Sequence, residues 1–183
     1  GGGGTTIAIA EAVAPSGEVL GIDISPDLTT ASTQRARDAG VSNIRFICAD
    51  AATIQLSDAP FDRLFSRFGS MFFAEPHKAF ANLHSLLRPG ARIDLAVWGP
   101  PRDNLWMMEM MGVVRRYVEI PPAIPRAPGP FAFEDIDYLN EILASGGFSR
   151  VSIIPYQGLQ PIGGVNVEPQ DAVSFVLSSM AVG

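Results

Sequence analysis

The stretch GGGGTTIAIAEAVAPSGEVLGIDIS, Gly1–Ser25, decides the reading of the whole chain. Four glycines run straight into a helical pattern, and an apolar run after Pro15-Ser16-Gly17 ends on Asp23. Bare backbone before a helix leaves room for a close approach, and the first turn of the helix offers free N–H groups. A cloning linker would carry serines and lead into nothing in particular, whereas these glycines pass without a spacer into Thr5-Thr6-Ile7-Ala8-Ile9.

Working outward, the pattern repeats. DLTTASTQRARDAG (27–40) reads as a helix closed by Gly40, and NIRFICAD (43–50) as a strand. FDRLFSRF (61–68) is another strand, PHKAFANLHSLLRPG (76–90) a helix closed by Pro-Gly, and ARIDLAVWG (91–99) a further strand. Short connections with intervening helices predict an α/β fold, a doubly wound and mostly parallel sheet covered on both faces. Such sheets bind ligands at the carboxyl ends of their strands, which directs attention to Asp23, Asp50, Ser66, Arg67 and Trp98.

From Gly99 to Pro130 the alternation breaks. A helical piece with Met107, Met108, Met110 and Met111 precedes a proline-rich loop, and the segment is expected to form an inserted cap. Methionine at helical spacing suits either a core helix or an adaptable wall over an apolar ligand, which makes Met107 and Met111 candidate contacts. A helix within FAFEDIDYLNEILASGGF (131–148), a strand in SRVSIIPY (149–156) and a last helix from Pro169 follow. The expected organisation is one domain: a cofactor-binding core over 1–98, the cap over 99–130, and completion of the core over 131–183.

Composition limits the function. The chain has 183 residues, 47% hydrophobic and 17% charged, with a formal net charge of −6. No basic surplus exists to replace the counterions of a nucleic acid or an anionic membrane, so neither is expected as a partner. One cysteine, Cys48, excludes an internal disulfide, and inside an apolar run it reads as a buried strand residue. No stretch reads as a membrane span or signal peptide, so a cytoplasmic setting is expected, and no metal site is.

A glycine loop followed about twenty residues later by a strand-ending carboxylate places that carboxylate on ribose hydroxyls. Gly4 and Asp23 have this spacing. Dinucleotides and S-adenosylmethionine both use it. Asp50, ending the next strand, is placed to accept from an adenine amino group; a helix cap for Asp23 and a turn for Asp50 are the duller readings. A short-chain oxidoreductase would need Tyr-x-x-x-Lys, but the only lysine, Lys78, has Ala74 four places before it.

Four ordered segments, Gly1–Ser25, FICADAAT (46–53), FDRLFSRFGSMFFAEPHKAFANLHSLLRPGARIDLAVW (61–98) and GPFAFEDIDYLNEILASGGF (129–148), together resemble the class I S-adenosylmethionine-dependent methyltransferases, in their small-molecule, quinone-methylase-like branch. The resemblance implies a Rossmann-like methyltransferase fold with S-adenosyl-L-methionine as cofactor. It places Gly2 and Gly4 against the methionine moiety, with Gly1 and Gly3 at variable positions between. It gives Asp23 the ribose, Ile24 the adenine face, and Asp50 with Ala51 the adenine edge, while Ser66, Arg67 and Phe68 line the cofactor and acceptor side.

The activity it implies is methyl transfer by in-line displacement to a small apolar acceptor, with Phe68, Phe72, Trp98, Met107, Met111, Phe131 and Phe133 as places to look for acceptor contacts. No catalytic base stands out; His77 is a weak candidate, and it shares a helical face with His84. A non-catalytic cofactor-binding or dimerisation module is the alternative, and a homodimer is compatible with the sequence. The family's loop follows a strand ending in an acidic residue, which is missing here. That strand lies mid-sheet, and unpaired neighbours would cost about 1–3 kcal/mol per buried group against ~5–15 kcal/mol for a whole domain, so a longer natural polypeptide is expected.

Overall fold

The computed structural model describes residues 1–159, 161, 163–164 and 166–179. The described residues fall into two compact units. The first comprises Gly1–Asn104 and Ala123–Val151; the second comprises Leu105–Pro122 and the described residues from Ser152 onward. The segment 99–130 is thereby shared between them, and residues 160, 162, 165 and 180–183 of the expected last segment lie outside the described residues.

In the first unit, α1 (Gly4–Val13) leads to β1 (Val19–Asp23), α2 (Pro26–Asp38) and β2 (Ile44–Cys48). β3 (Phe61–Arg67), α3 (Pro76–Ser85), β4 (Leu87–Ala96) and α5 (Ile136–Ser145) complete it. β1 pairs with β2 and β3 with β4, both in parallel, with Asp23 opposite Cys48 and Arg67 opposite Ala96. The two pairs are separate two-stranded sheets. The strand that the resemblance places between β1 and β3 has no counterpart among the described residues.

Local chemistry sets the helix limits. α2 starts at Ser25, whose Oγ accepts from the Leu28 N–H at 3.3 Å, with Pro26 in the first turn. Asp27 near its start and Arg35 and Arg37 near its end complement the helix dipole. α5 starts at Asp135, whose Oδ1 accepts from the N–H groups of Asp137 and Tyr138 at 3.0 and 3.2 Å.

Two expected elements differ. The helix over 76–90 stops at Ser85, because β4 begins at Leu87 and takes in Pro89-Gly90, with Gly90 at φ +79° and an irregular register beside Phe61 and Arg63. The expected strand over 149–156 is absent: β-branched residues form a strand only where another edge offers hydrogen bonds, and here Ile154 and Tyr156 stand exposed.

The core lies around β3, β4, α3 and α5. Met71, Phe80, Leu83, Ala132, Phe133, Leu139, Ile142 and Leu143 form one buried cluster. Phe80 meets the Phe73 ring edge-on at 5.9 Å and the Phe148 ring at 6.4 Å, the geometry aromatic quadrupoles favour. In the second unit, α4 (Leu105–Val114) is apolar but for Glu109 and buries no residue, and α6 (Pro169–Ser179) begins at the expected proline. Among the described residues no helix is long and apolar enough to cross a membrane.

Candidate cofactor and acceptor site

The glycine loop is shaped by one residue above the others. Gly3, the N-cap of α1, has φ +80° and ψ −11°, and a Cβ there would lie 2.8 Å from that of Ser32. Both conformation and space demand glycine at a position the resemblance made variable. Within a run of four glycines no sequence signal separates Gly3 from its neighbours. A Cβ on Gly4 would meet nothing within 4 Å, while one on Gly2 would press on the Arg35 guanidinium, which donates to the Gly2 carbonyl. Ser32 Oγ donates to the Gly1 carbonyl at 2.9 Å. α2 therefore fixes the loop through Ser32 and Arg35, two residues the sequence reading missed, because only the packed orientation of α2 turns them toward the glycines. Gly3 at the N-cap has no side chain to cap α1, and among the described residues no side-chain hydrogen bond to the first-turn N–H groups of α1 is present.

Asp23 ends β1 beside this loop. Its Oδ1 accepts from the Ser25 N–H at 2.9 Å. The side chain is 22% exposed. Ile24 next to it is 70% exposed, a large apolar surface bare at a strand end. Cys48, expected to be buried, is exposed at the end of the edge strand β2, and its thiol lies 3.5 Å from the Ile24 carbonyl. β2 pairs on one side only, which the apolar run around Cys48 does not reveal.

Asp50 begins the loop after β2. Its Oδ1 accepts from the Ala52 N–H at 2.9 Å, and its carbonyl accepts from Thr53 and Ile54. One carboxylate oxygen thus shapes the turn, and Oδ2 has no partner among the described residues. Ala51 is partly buried against the main core.

The end of β3 forms a second cluster. Ser66 Oγ accepts from the Ser70 N–H at 3.2 Å, and the Arg67 guanidinium stands 5.9 Å from the Phe68 ring centre. Phe68 has φ +60°, uncommon for a bulky residue, and its ring stacks flat on Trp98 at 4.3 Å. Its N–H donates to the Ala96 carbonyl at 2.9 Å, which ties the strained residue to β4. Phe72 is 56% exposed, Phe131 is half-buried and Phe133 lies in the core. The Ser70 hydroxyl is buried without a hydrogen-bond partner among the described residues.

Three candidates remain. Met107 and Met111 are half-buried on α4, in the second unit. His77 is exposed at the start of α3, with Nδ1 2.8 Å from Ser145 Oγ and its ring edge-on to Tyr138. These contacts join α3 to α5. Among the described residues no group of three or more His, Cys, Asp or Glu could hold a metal ion.

Comparison with known proteins bears on this arrangement. Residues 1–90 match the family model described as Methyltransferase domain. Demethylmenaquinone methyltransferase of Thermus thermophilus is 27% identical over 151 residues, covering 74% of this chain and 66% of that protein. Ubiquinone/menaquinone biosynthesis C-methyltransferase UbiE of Stutzerimonas stutzeri is 27% identical over 168 residues, 83% of this chain and 63% of that one. The chain thus spans less than two thirds of the length of these relatives. Among solved structures, a SAM dependent methyltransferase from Aquifex aeolicus aligns with a TM-score of 0.56 at 19% identity, over 79% of this chain and 68% of that one. A protein solved under the description "Conversion of a Disulfide Bond into a Thioacetal Group during Echinomycin Biosynthesis" aligns with a TM-score of 0.62 at 20% identity, over 78% and 57%. At these identities the two structures speak to the fold.

Proposed function

We propose, for a chain that belongs to the class I S-adenosylmethionine-dependent methyltransferases, quinone-methylase-like branch, that its first unit binds S-adenosylmethionine at the carboxyl ends of β1 and β2 and serves methyl transfer to a small apolar ring acceptor. The observation that carries this reading is the convergence of Asp23 and Asp50 at the same ends of two paired parallel strands, beside an α1 start that no side chain caps.

The chain's own residues fit the cofactor. At Gly4 no neighbour fills the space a side chain would take, so the chain itself gives no steric reason for glycine, and an approaching ligand does. Asp23 accepts ribose hydroxyls through its carboxylate. Ile24 offers its exposed apolar face to the base, and Asp50 Oδ2 accepts from the exocyclic amine. When bound, the cofactor supplies a methyl group already activated on a sulfonium. The protein's task is then alignment and exclusion of water, and positioning of this kind supplies about 7–11 kcal/mol of barrier reduction.

The cluster at the end of β3 supplies an acceptor wall. Phe68 and Trp98 form a flat apolar stack, Arg67 lies beside it and Phe72 is exposed near it in sequence. A planar ring suits such a surface, and the demethylmenaquinone in the names of the relatives is the first acceptor to test. The test titrates S-adenosylhomocysteine calorimetrically and follows its release from S-adenosylmethionine with ring acceptors of the quinone kind. One-to-one binding with release on one of these acceptors is expected. Binding without release on any acceptor favours a non-catalytic module, and no binding overturns the reading.

A further inference from the structure

Asn82 belongs to neither candidate cluster, yet its amide is committed to one of them. It lies half-buried on α3, a helix that packs chiefly against β4 and α5. Its Nδ2 donates to the carbonyls of Ala51 and Ile54 at 3.3 and 3.1 Å, and its Oδ1 accepts from Gln55 Nε2 at 3.0 Å. All three contacts fall on the loop opened by Asp50. At its start that loop closes on itself through Asp50 Oδ1 and the Asp50 carbonyl, and the next backbone closure among the described residues is the Ala59 N–H on the Leu56 carbonyl at 3.3 Å. Past that turn, one side chain from the neighbouring layer grips two of its carbonyls.

We propose that Asn82 is a positioning residue for base recognition: it holds the 51–54 carbonyls so that the unpartnered Asp50 Oδ2 faces the exocyclic amine of the adenine. This rests on the cofactor reading above. A carboxamide is required, because a carboxylate at 82 would set two oxygens against two carbonyls and lose both donations. The loop would then drift, and Asp50 with it. Affinity for the whole cofactor is the wrong readout, since general loosening lowers it too. Discrimination between bases is the right one.

The probes are S-adenosylhomocysteine and S-inosylhomocysteine, which differ by an amine or an oxo group at the position Asp50 reads. The oxo group turns an acceptor toward the carboxylate, so a preference of roughly ten- to a hundredfold for the adenosyl ligand is expected in the wild type. In Asn82→Asp the preference should fall to within about threefold, with most of the loss on the adenosyl side. Unfolding of a fraction of the protein removes both ligands' sites equally and leaves the ratio unchanged. Asn82→Ala and Asn82→Ser carry the same readout if the aspartate variant does not fold. Asp50→Ala separates the two levels of argument. If it leaves the ratio at the wild-type value, the adenine assignment itself fails. If it collapses the ratio while a folded Asn82 variant keeps it, the role given to Asn82 is overturned.

Discussion

The β1–β2 half and the β3–β4 half of the first unit are held together by different forces. Around β1 and β2 the buried residues are small or polar: Ala10, Ala36, Thr29 and Ser32, with Ile7 the one larger side chain. Side-chain hydrogen bonds to backbone do the joining. Asn43 Nδ2 donates to the carbonyls of Ala10 and Gly17 at 2.8 and 2.7 Å, and Ser32 and Arg35 grip the glycine loop. Around β3 and β4 the joining is by packing of aromatic and aliphatic side chains. Apolar burial stabilises in proportion to area and asks for no particular geometry, whereas hydrogen bonds fix backbone in place with little net stability. The difference assigns stability to one half and fixed placement of backbone to the other.

The largest test of that division is Phe80→Ala. Phe80 is fully buried and contacts three aromatic rings, so truncation leaves a cavity and should cost about 3–5 kcal/mol in a urea melt. Cofactor affinity per folded molecule should hardly change. A loss below about 1 kcal/mol would mean that the aromatic half is not where stability resides.

Asp23→Ala should behave in the opposite way. A charge-assisted hydrogen bond to a ribose hydroxyl contributes about 1.5–3 kcal/mol, so calorimetry should show affinity for S-adenosylhomocysteine reduced roughly ten- to a hundredfold. The melting of the ligand-free protein should move little, because the carboxylate's fixed local contact is one backbone N–H. Unchanged affinity would reduce Asp23 to a turn residue.

What the sequence revealed follows the same division. The strand-ending carboxylates and helix starts were legible because they depend on neighbours in the chain: Ser25 before Pro26, Asp135 before α5, Asp23 and Asp50 after apolar runs. The ties were not. Asn82 reaches a loop some thirty residues back, and Ser32 and Arg35 reach the chain start, contacts that exist only once helices are placed. Apolar pattern alone predicted a strand at 149–156 because propensity says nothing about whether a pairing edge is at hand. It also hid Cys48, since an apolar run does not say whether its strand will find a partner on one side or on both.

Gly3→Ala probes a smaller effect in the hydrogen-bonded half. A left-handed residue with a Cβ costs about 1–2 kcal/mol, and the Ser32 contact at 2.8 Å adds to it. The loop should shift and cofactor affinity fall along with stability. Gly4→Ala offers the contrast: its Cβ enters empty space and its backbone is already helical, so the ligand-free protein should be no less stable while the cofactor loses room. If Gly4→Ala binds S-adenosylhomocysteine as well as the wild type does, the space beside Gly4 is not used by the ligand.

The smallest expected effect concerns the exposed cap of α5 in the packed half, and it is separable by pH. The carboxylate of Asp135 is held below its usual range, first by the Tyr138 N–H and then by Arg126, whose Nη2 lies 3.0 Å from Oδ2 and whose guanidinium sits 4.3 Å from the centre of the Tyr138 ring. A carboxylate depressed in the folded state stabilises fully above its unfolded value, near about pH 4, and loses that contribution as pH falls through the folded value. Asp135→Asn keeps a carbonyl for the helix N–H groups but has no charge to lose. The thermal midpoint of the variant should therefore lie slightly below the wild type at neutral pH, and the gap should close as the pH drops below about 4. Arg126→Gln should reproduce part of the gap with the same pH dependence, because it removes the second cause of the depression and leaves the first. A gap of constant size from pH 7 down to about pH 3 would show that the caps differ in shape and not in charge, and the hydrogen bonds at this helix start would then owe nothing to the carboxylate's ionisation.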